Sequence, residues 1–321
     1  MSYVSELAAK VLSGENITKS EALELYKQPL EELCSKANEI REKFCAEKFD
    51  MCTIINAKSG RCSENCKFCA QSAHHKTGVE EYALLSTLEI LAKAKHDYEE
   101  GAVHYGIVTS GRNLNDQEVD SLCETIREIK AKTGIAVCAS LGLLNESQYK
   151  KLKAAGLSRV HNNLETSREH FPEICTTHKF DDKITAIKAA QSAGLEVCSG
   201  GIMGVGESVE DRINMAFELR DLGIKSVPVN MLNPVQGTPF ENNEKLTPED
   251  LRRIIAVYRF IIPDSYVRLA GGRGLLQDKG LSCFVSGANA SISGDMLTTA
   301  GISIKTDIEM LNKLGFEVTC E

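Results

Sequence analysis

The sequence lacks any apolar run long enough to cross a membrane. No stretch approaches the roughly 18 consecutive apolar residues that a membrane-spanning helix needs, although 42% of the 321 residues are hydrophobic. The first residues also lack the basic segment and apolar stretch that together form an export signal. We therefore expect a cytoplasmic protein that does not associate with membranes.

Basic residues are in deficit as well. The chain has 37 lysines and arginines against 45 aspartates and glutamates, which gives a formal net charge of −8. Proteins that bind nucleic acid usually present a basic face, so we expect no nucleic-acid partner. Low-complexity segments and an obvious linker are also missing, and we predict a single domain over residues 1–321.

Cysteine, by contrast, is abundant, with twelve residues. Thiols stay reduced in the cytoplasm, so the useful question is which cysteines bind metal and which are buried thiols. Five lie in helical, strand or terminal segments and are interpreted as ordinary thiols: Cys34, Cys45, Cys52, Cys123 and Cys320.

The apolar periodicity predicts an α/β barrel. Apolar residues recur at spacings of three and four in the first part of the chain, which indicates an N-terminal helical extension over residues 1–50. Thereafter short β-prone runs alternate with amphipathic segments, as in βα units. We predict eight strands at 51–57, 102–108, 135–140, 159–164, 195–199, 225–231, 266–270 and 281–285. Eight such units favour a (β/α)8 TIM-type barrel over residues 51–321.

Chemistry in such barrels takes place where the strands end. Several cysteines and polar residues fall at or near the predicted strand ends: Cys62, Cys66, Cys69, Cys138, Asn163, Glu165, Cys198, Asn230 and Arg268. If the barrel forms, these residues converge on one mouth although they are far apart in sequence.

The most specific motif is a cysteine triplet with the pattern C-x3-C-x2-C, formed by Cys62, Cys66 and Cys69. Three thiolates from one short loop can reach three corners of a [4Fe–4S] cluster. The fourth iron is then free to bind the amino and carboxylate groups of S-adenosylmethionine, and one electron from the cluster can cleave its sulfonium bond. The competing interpretation is a Cys3His zinc site with His74 or His75 as the fourth ligand. The position of the triplet directly after a first strand, with seven more units behind it, favours the cluster.

The sequence around the triplet, G-R-C-S-E-N-C-K-F-C-A-Q-S at 60–72, resembles the cluster loop of biotin synthases. The resemblance continues in order along nearly the whole chain, at 163–167, 197–207, 227–232, 237–239, 265–273, 283–289 and 297–299. One such segment would be a weak signal, whereas the ordered set is specific.

The resemblance implies that the protein inserts sulfur into dethiobiotin to form biotin, with S-adenosylmethionine as radical source and an auxiliary iron–sulfur cluster as sulfur donor. It also implies an electron donor such as flavodoxin or ferredoxin and a homodimer. The S-adenosylmethionine contacts would be Phe68, Asn163, Glu165 and the backbone at Gly201. The substrate contacts would be His161, Asn163 and Asn230, since an amide offers a donor and an acceptor together.

The auxiliary site departs from the family pattern. Cys138, Cys198 and Arg268 match the expected ligands, but the position on the second strand is Gly106. Cys175, in the loop after the fourth strand, is a candidate replacement. We therefore predict a cluster bound by Cys138, Cys175 and Cys198, of the four-iron rather than the [2Fe–2S] type. Arg268 would be either a ligand or a partner of nearby acids.

Two other functions remain open on the sequence alone. One is a different radical enzyme on the same barrel, such as a relative of hydrogenase-maturation enzymes. The other is a non-catalytic iron–sulfur protein, which would have no need of a deep barrel mouth or an open iron.

Overall fold

The computed structural model describes residues 1–297 and 301–319. Cys320 and most of the 297–299 motif lie outside the described residues. The chain begins with three helices, α1 (Tyr3–Leu12), α2 (Lys19–Leu25) and α3 (Leu30–Cys45). Their buried faces pack against one another and against later helices, and they confirm the predicted N-terminal helical extension.

A closed barrel of parallel strands follows. The strands are β1 (Lys48–Lys58), β2 (His104–Thr109), β3 (Ala136–Ser140), β4 (Arg159–His161), β5 (Glu196–Cys198), β6 (Gly201–Met203), β7 (Ser226–Met231), β8 (Tyr266–Leu269), β9 (Ala290–Ile292) and β10 (Glu317–Val318). β5 and β6 share the fifth barrel position, and β1 pairs with β9 to close the ring. β10 pairs with the start of β1, beside the barrel. The predicted (β/α)8 fold is confirmed.

Helices connect successive strands. They are α4 (Thr87–Glu99), α5 (Asp116–Lys132), α6 (Glu146–Ala155), α7 (Phe171–Ile174), α8 (Phe180–Ser192), α9 (Val209–Asp221), α10 (Pro248–Ile261), α11 (Leu281–Phe284) and α12 (Ile304–Lys313), with a short 3-10 helix at Arg273–Leu275. Reciprocal side-chain caps start many of them, as between Asn115 and Glu118 at α5 and between Thr247 and Asp250 at α10. Such caps satisfy backbone N–H groups that a helix start leaves free. Within the described residues, no helix is both long and apolar enough to cross a membrane.

The predicted eighth strand is wrong. Residues 281–285 contain the short helix α11, which begins after Gly280 in a left-handed conformation. The Asp278 carboxylate accepts hydrogen bonds from the backbone N–H groups of Gly280 and Ser282 and fixes this turn. The eighth strand is β9, whose sequence Ala-Ser-Ile carries only one β-branched apolar residue and therefore gives little signal.

The strand register places the chemistry inside the barrel. Ile54 on β1 pairs with Gly106 on β2, and Gly106 pairs with Cys138 on β3. His161 on β4 pairs with Cys198 on β5. Alternate residues of a strand point to the same face. The residues two positions before and after each of these therefore also face the barrel interior.

Candidate active site

The barrel encloses a cavity of about 370 Å³. The cluster loop contributes Phe68 and Cys69, and the end of the fourth strand contributes Glu165. Cys138 and Cys198, from the strands themselves, line the same cavity. The cavity therefore brings together a thiol of the cluster loop and thiols of two barrel strands that are far from it in sequence.

The cysteine triplet lies in a loop that folds back on itself. Cys62 donates its backbone N–H to Gln71 O at 3.0 Å, and Ala73 returns a bond to Cys62 O at 2.8 Å. Cys69 N–H binds Cys66 O at 3.0 Å. These bonds form a tight turn that presents the three cysteines from one short segment.

The three thiols suit an iron–sulfur cluster. All three are free and partly buried, and burial, together with the nearby Cys62 thiol and Glu165 carboxylate, raises the pKa of Cys69 to about 11. Bound iron would relieve this cost, because a cluster takes the thiolate form. The imidazoles of His74 and His75 instead bind the backbone carbonyls of residues 63 and 66, at 3.0 and 3.1 Å. This arrangement favours a three-thiol site over the zinc alternative.

Glu165 is held in a strained conformation at the mouth. Its φ of 72° is in the left-handed region, which costs energy for a side-chain-bearing residue and often marks a functional site. Its carbonyl accepts a bond from Ile202 N at 2.8 Å, and its carboxylate accepts one from Asn163 Nδ2 at 3.3 Å. A Cβ on Gly201 would lie 2.4 Å from Glu165 O. Gly201 is not among the cavity-lining residues, and its glycine is explained by this close approach.

The two predicted substrate amides also connect strands. Asn163 Oδ1 accepts a bond from Gly200 N at 3.0 Å. Asn230 Nδ2 donates to Gly201 O at 2.9 Å, and its Oδ1 accepts from Gly271 N at 2.8 Å. Both side chains line the cavity. Each amide retains a second N–H and a second lone pair, so backbone binding and ligand contact are compatible.

Cys198 lies in a polar environment at the inner end of the cavity. Ser226 Oγ donates a hydrogen bond to its Sγ at 3.2 Å. Burial alone would raise the pKa of Cys198, but the neighbouring His161 imidazole and the charges of Arg268 and Arg159 lower it to about 6. The predicted residues His161, Cys198 and Arg268 are thus brought together.

Arg268 is engaged by a buried carboxylate. Its Nη2 lies 2.7 Å from Asp50 Oδ2, and its Nη1 donates to the backbone carbonyls of residues 50 and 291. Asp50 also binds Arg159 Nη1 at 2.7 Å and lies 2.9 Å from His104 Nδ1. Burial would raise the pKa of Asp50, but Arg268, His104 and Arg159 hold it well below its usual range. The same carboxylate raises the pKa of Arg268, which keeps the guanidinium protonated.

The structure does not bring Cys175 together with Cys138 and Cys198, and the predicted ligand set needs correction. Cys175 Sγ lies 3.7 Å from Cys66 Sγ and 3.3 Å from His178 Nδ1, and Cys175 is not among the cavity-lining residues. The physical reason is that Asn65 in the cluster loop binds the backbone N–H groups of residues 176 and 177. These bonds hold the segment against the first cluster loop.

Sequence reasoning missed Cys52. It was interpreted as an ordinary strand thiol, yet it lines the cavity together with Cys138. The neighbouring Cys52 thiol and burial raise the pKa of Cys138 well above its ordinary value. The available signal was strand alternation, since Cys52 is two residues before the inward-facing Ile54.

Comparisons with known proteins agree with this geometry. Residues 57–219 match the Radical SAM superfamily, and residues 228–317 match the Biotin and Thiamin Synthesis associated domain. Membership of the first implies a [4Fe–4S] cluster and S-adenosylmethionine. Among solved structures, methylornithine synthase superposes with a TM-score of 0.85 at 20% identity, over 98% of this chain and 97% of that one. An [FeFe]-hydrogenase maturase from Carboxydothermus hydrogenoformans gives 0.83 at 18% identity, over 98% and 78%. These two likenesses establish the fold alone.

Sequence relatives are far closer. The biotin synthase of Brachyspira hyodysenteriae is 60% identical over 315 residues, which is 98% of this chain and 95% of that protein. The biotin synthase of Akkermansia muciniphila is 55% identical over 318 residues, covering 99% of both. The family resemblance predicted from the motifs is confirmed, and the chain belongs to the biotin synthase family of radical S-adenosylmethionine enzymes.

Proposed function

We propose that this protein converts dethiobiotin to biotin by radical sulfur insertion. The observation that carries the proposal is a single barrel cavity lined by cysteines from two regions. Cys69 comes from the cluster loop, and Cys138 and Cys198 come from the inner strands. A reaction that needs both a radical source and a sulfur source requires two sets of cysteines, one for each cluster, around one substrate. The names of the full-length relatives support the same function.

Cys62, Cys66 and Cys69 would hold the [4Fe–4S] cluster. Because the loop supplies three thiols, one iron stays open for S-adenosylmethionine. When bound, this pair supplies the one-electron chemistry that removes hydrogen from an unactivated carbon. The barrel walls would surround the space in which this chemistry takes place and limit the access of water.

Glu165, Asn163 and Phe68 would bind S-adenosylmethionine. The Glu165 carboxylate lines the cavity beside the cluster loop and can accept hydrogen bonds from ribose hydroxyls. Asn163 orients that carboxylate through its Nδ2 and can contact the amino-acid part of the cofactor. Phe68 offers an apolar surface for adenine. The role of Gly201 is to let Glu165 approach closely, and its backbone carbonyl holds Asn230.

Asn230 and His161 would contact dethiobiotin. Asn230 is fixed by two backbone bonds, and its remaining donor and acceptor can bind the ureido ring with little loss of side-chain entropy. His161 lines the cavity beside Cys198. It would contact the substrate from the side of the inner thiols.

An auxiliary iron–sulfur cluster would occupy the inner end of the cavity, with Cys138 and Cys198 as ligands. Arg268 would act as a partner of the cluster's negative charge, because a guanidinium that donates to Asp50 keeps its protons and has no lone pair to give iron. Both [2Fe–2S] and [4Fe–4S] clusters ordinarily take four protein ligands. A four-iron cluster held by three thiols leaves only one iron open, as proposed for the first cluster, so the four-iron type is the one we propose here.

The proposal includes partners that the sequence motifs imply. An electron donor such as flavodoxin or ferredoxin would reduce the first cluster, and the protein would act as a homodimer. A cytoplasmic location would keep the twelve cysteines reduced.

The experiment is turnover under strict anaerobic conditions. Purified protein with reconstituted clusters, a reductant, S-adenosylmethionine and dethiobiotin should form biotin and 5′-deoxyadenosine, both measured by mass spectrometry. We expect biotin formation to slow when the two target carbons of dethiobiotin carry deuterium in place of hydrogen, because hydrogen is removed from these carbons. Cleavage of S-adenosylmethionine that never consumes dethiobiotin would assign the chain another substrate.

A further inference from the structure

A third cysteine, on β1, joins Cys138 and Cys198 at the inner end of the cavity. Cys52 lines the cavity together with Cys138 and Cys198, and all three cysteines are free. The Cys52 thiol is near enough to that of Cys138 to raise its pKa. Three thiols on three different strands thus face one space, with the Arg268 guanidinium close enough to interact with both Cys52 and Cys198.

Packing explains why the third thiol comes from β1 and not from β2. Gly106 on β2 pairs with Cys138, so a side chain there would also face this space. A Cβ on Gly106 would lie 3.1 Å from Ile54 Cγ2 and 3.4 Å from Thr53 O, a contact tighter than ordinary packing. The volume beside Gly106 is therefore already filled by Ile54. Cys52, two residues earlier on β1, projects from the same face of that strand and approaches Cys138 without this conflict.

The buried charges around the thiols favour an anion. Arg159, Arg268 and Asp50 are all less than a tenth exposed, so two guanidinium groups face a single buried carboxylate. The other acid that binds Arg159 is Glu196, whose side chain is 66% exposed. A buried positive charge without full compensation is costly. Thiolates carrying an iron–sulfur cluster would supply the missing negative charge.

We infer that Cys52, Cys138 and Cys198 are the three protein ligands of the auxiliary cluster, with Cys52 on β1 supplying the thiol that β2 lacks at Gly106. The inference rests on the proposed function only in that a second cluster is expected in this cavity. Arg268 and Arg159 then balance the cluster's charge, and Cys175 takes no part.

The first test is metal content. Wild type, Cys52→Ala and the matched control Cys123→Ala, a buried thiol on α5, are reconstituted anaerobically and assayed for iron and acid-labile sulfide. We expect Cys52→Ala to keep the iron and sulfide of one [4Fe–4S] cluster and to cleave S-adenosylmethionine within about twofold of wild type. Cys123→Ala should match wild type in both. A Cys52→Ala protein with the wild-type iron content would overturn the inference.

The second test needs no variant and therefore does not depend on folding of a mutant. Native wild-type protein is alkylated with iodoacetamide before and after iron removal by a chelator with a reductant present, and the modified cysteines are located by mass spectrometry. Cys52, Cys138 and Cys198 should be protected with iron and labelled without it. Labelling of Cys52 in the iron-loaded protein would overturn the inference, as would a Cys52–Cys138 disulfide in anaerobically isolated protein.

The two proposals fail in distinguishable ways. If Cys52→Ala loses the second cluster but the wild-type protein never consumes dethiobiotin, the proposed function is refuted and the ligand set stands. Biotin formation by the wild type, with iron unchanged in Cys52→Ala, would refute the ligand set and leave the function intact.

Discussion

Asp50 offers a direct test of how the inner end of the barrel is stabilised. Its carboxylate is 2% exposed and binds Arg268, Arg159 and His104 within 2.9 Å. Asp50→Asn keeps the shape of the side chain but removes its charge. One amide oxygen can still accept a hydrogen bond, while the new NH2 group faces donors and leaves a guanidinium without its counter-charge.

The size of the effect follows from the burial of these groups. Removing one partner of a buried ion pair costs about 3–5 kcal/mol, because the remaining charge stays out of water without compensation. A single hydrogen bond to a charged group contributes roughly 1.5–3 kcal/mol. Because the bonds to one carboxylate are not additive, their combined loss is also expected at about 3–5 kcal/mol. At roughly 2 °C per kcal/mol for a large domain, the midpoint of thermal unfolding should fall by about 6–10 °C.

The assay is thermal unfolding at pH 7, followed by far-ultraviolet circular dichroism on anaerobic samples of equal iron content. Asp221→Asn is the matched control, because its side chain is 73% exposed and 3.7 Å from Arg220 Nε. Such an exposed pair contributes about 0–1 kcal/mol. If Asp50→Asn unfolded within 1 °C of Asp221→Asn, the assignment of a stabilising buried charge network would be refuted.

Three further predictions concern the cluster loop and the residues around it. Cys66→Ala should abolish reductive cleavage of S-adenosylmethionine, measured as 5′-deoxyadenosine released with dithionite, and cleavage at the wild-type rate would contradict its role as a ligand. Glu165→Gln should raise the dissociation constant for S-adenosylmethionine about tenfold or more, because a charge-assisted hydrogen bond is worth about 1.5–3 kcal/mol. Equilibrium binding measures this constant, and an unchanged affinity would contradict the role of Glu165. Cys175→Ala should keep the iron of the auxiliary cluster, because its thiol contacts Cys66, and loss of that iron would restore it as a ligand.

Much of the fold could be predicted because its signals are local. Seven of the eight predicted strands coincide with observed strands, because short β-prone runs mark them in the local sequence. The eighth strand could not be found, because Ala-Ser-Ile at β9 is defined by its pairing with β1 and β8 and not by its own composition. The apolar residues at 281–285 were misleading because Leu281 and Val285 are both exposed.

The candidate site divides in the same way. The triplet of Cys62, Cys66 and Cys69 was visible because its spacing is local. The neighbours of Cys52 and Cys175 could not be predicted, because the thiols that they approach are 86 and 109 residues away, at Cys138 and Cys66. Loop position after a strand suggested that Cys175 reaches the inner thiols, but bonds from Asn65 decide where that loop lies.

β1 connects the two ends of the cavity. Asp50 and Cys52 face the inner end, and the same strand leads directly to the loop that carries Cys62. A register slip of one residue moves every side chain of a strand to its opposite face, so it would remove both the charge partner of Arg268 and a proposed cluster ligand. The pairing of β1 with β2 shifts between Asn56 and Lys58, after the inward-facing residues and before the loop. This irregularity lets the loop adopt its own geometry while the inward residues keep their phase, so that the cluster loop can fold without shifting Asp50 and Cys52 to the opposite face of the strand.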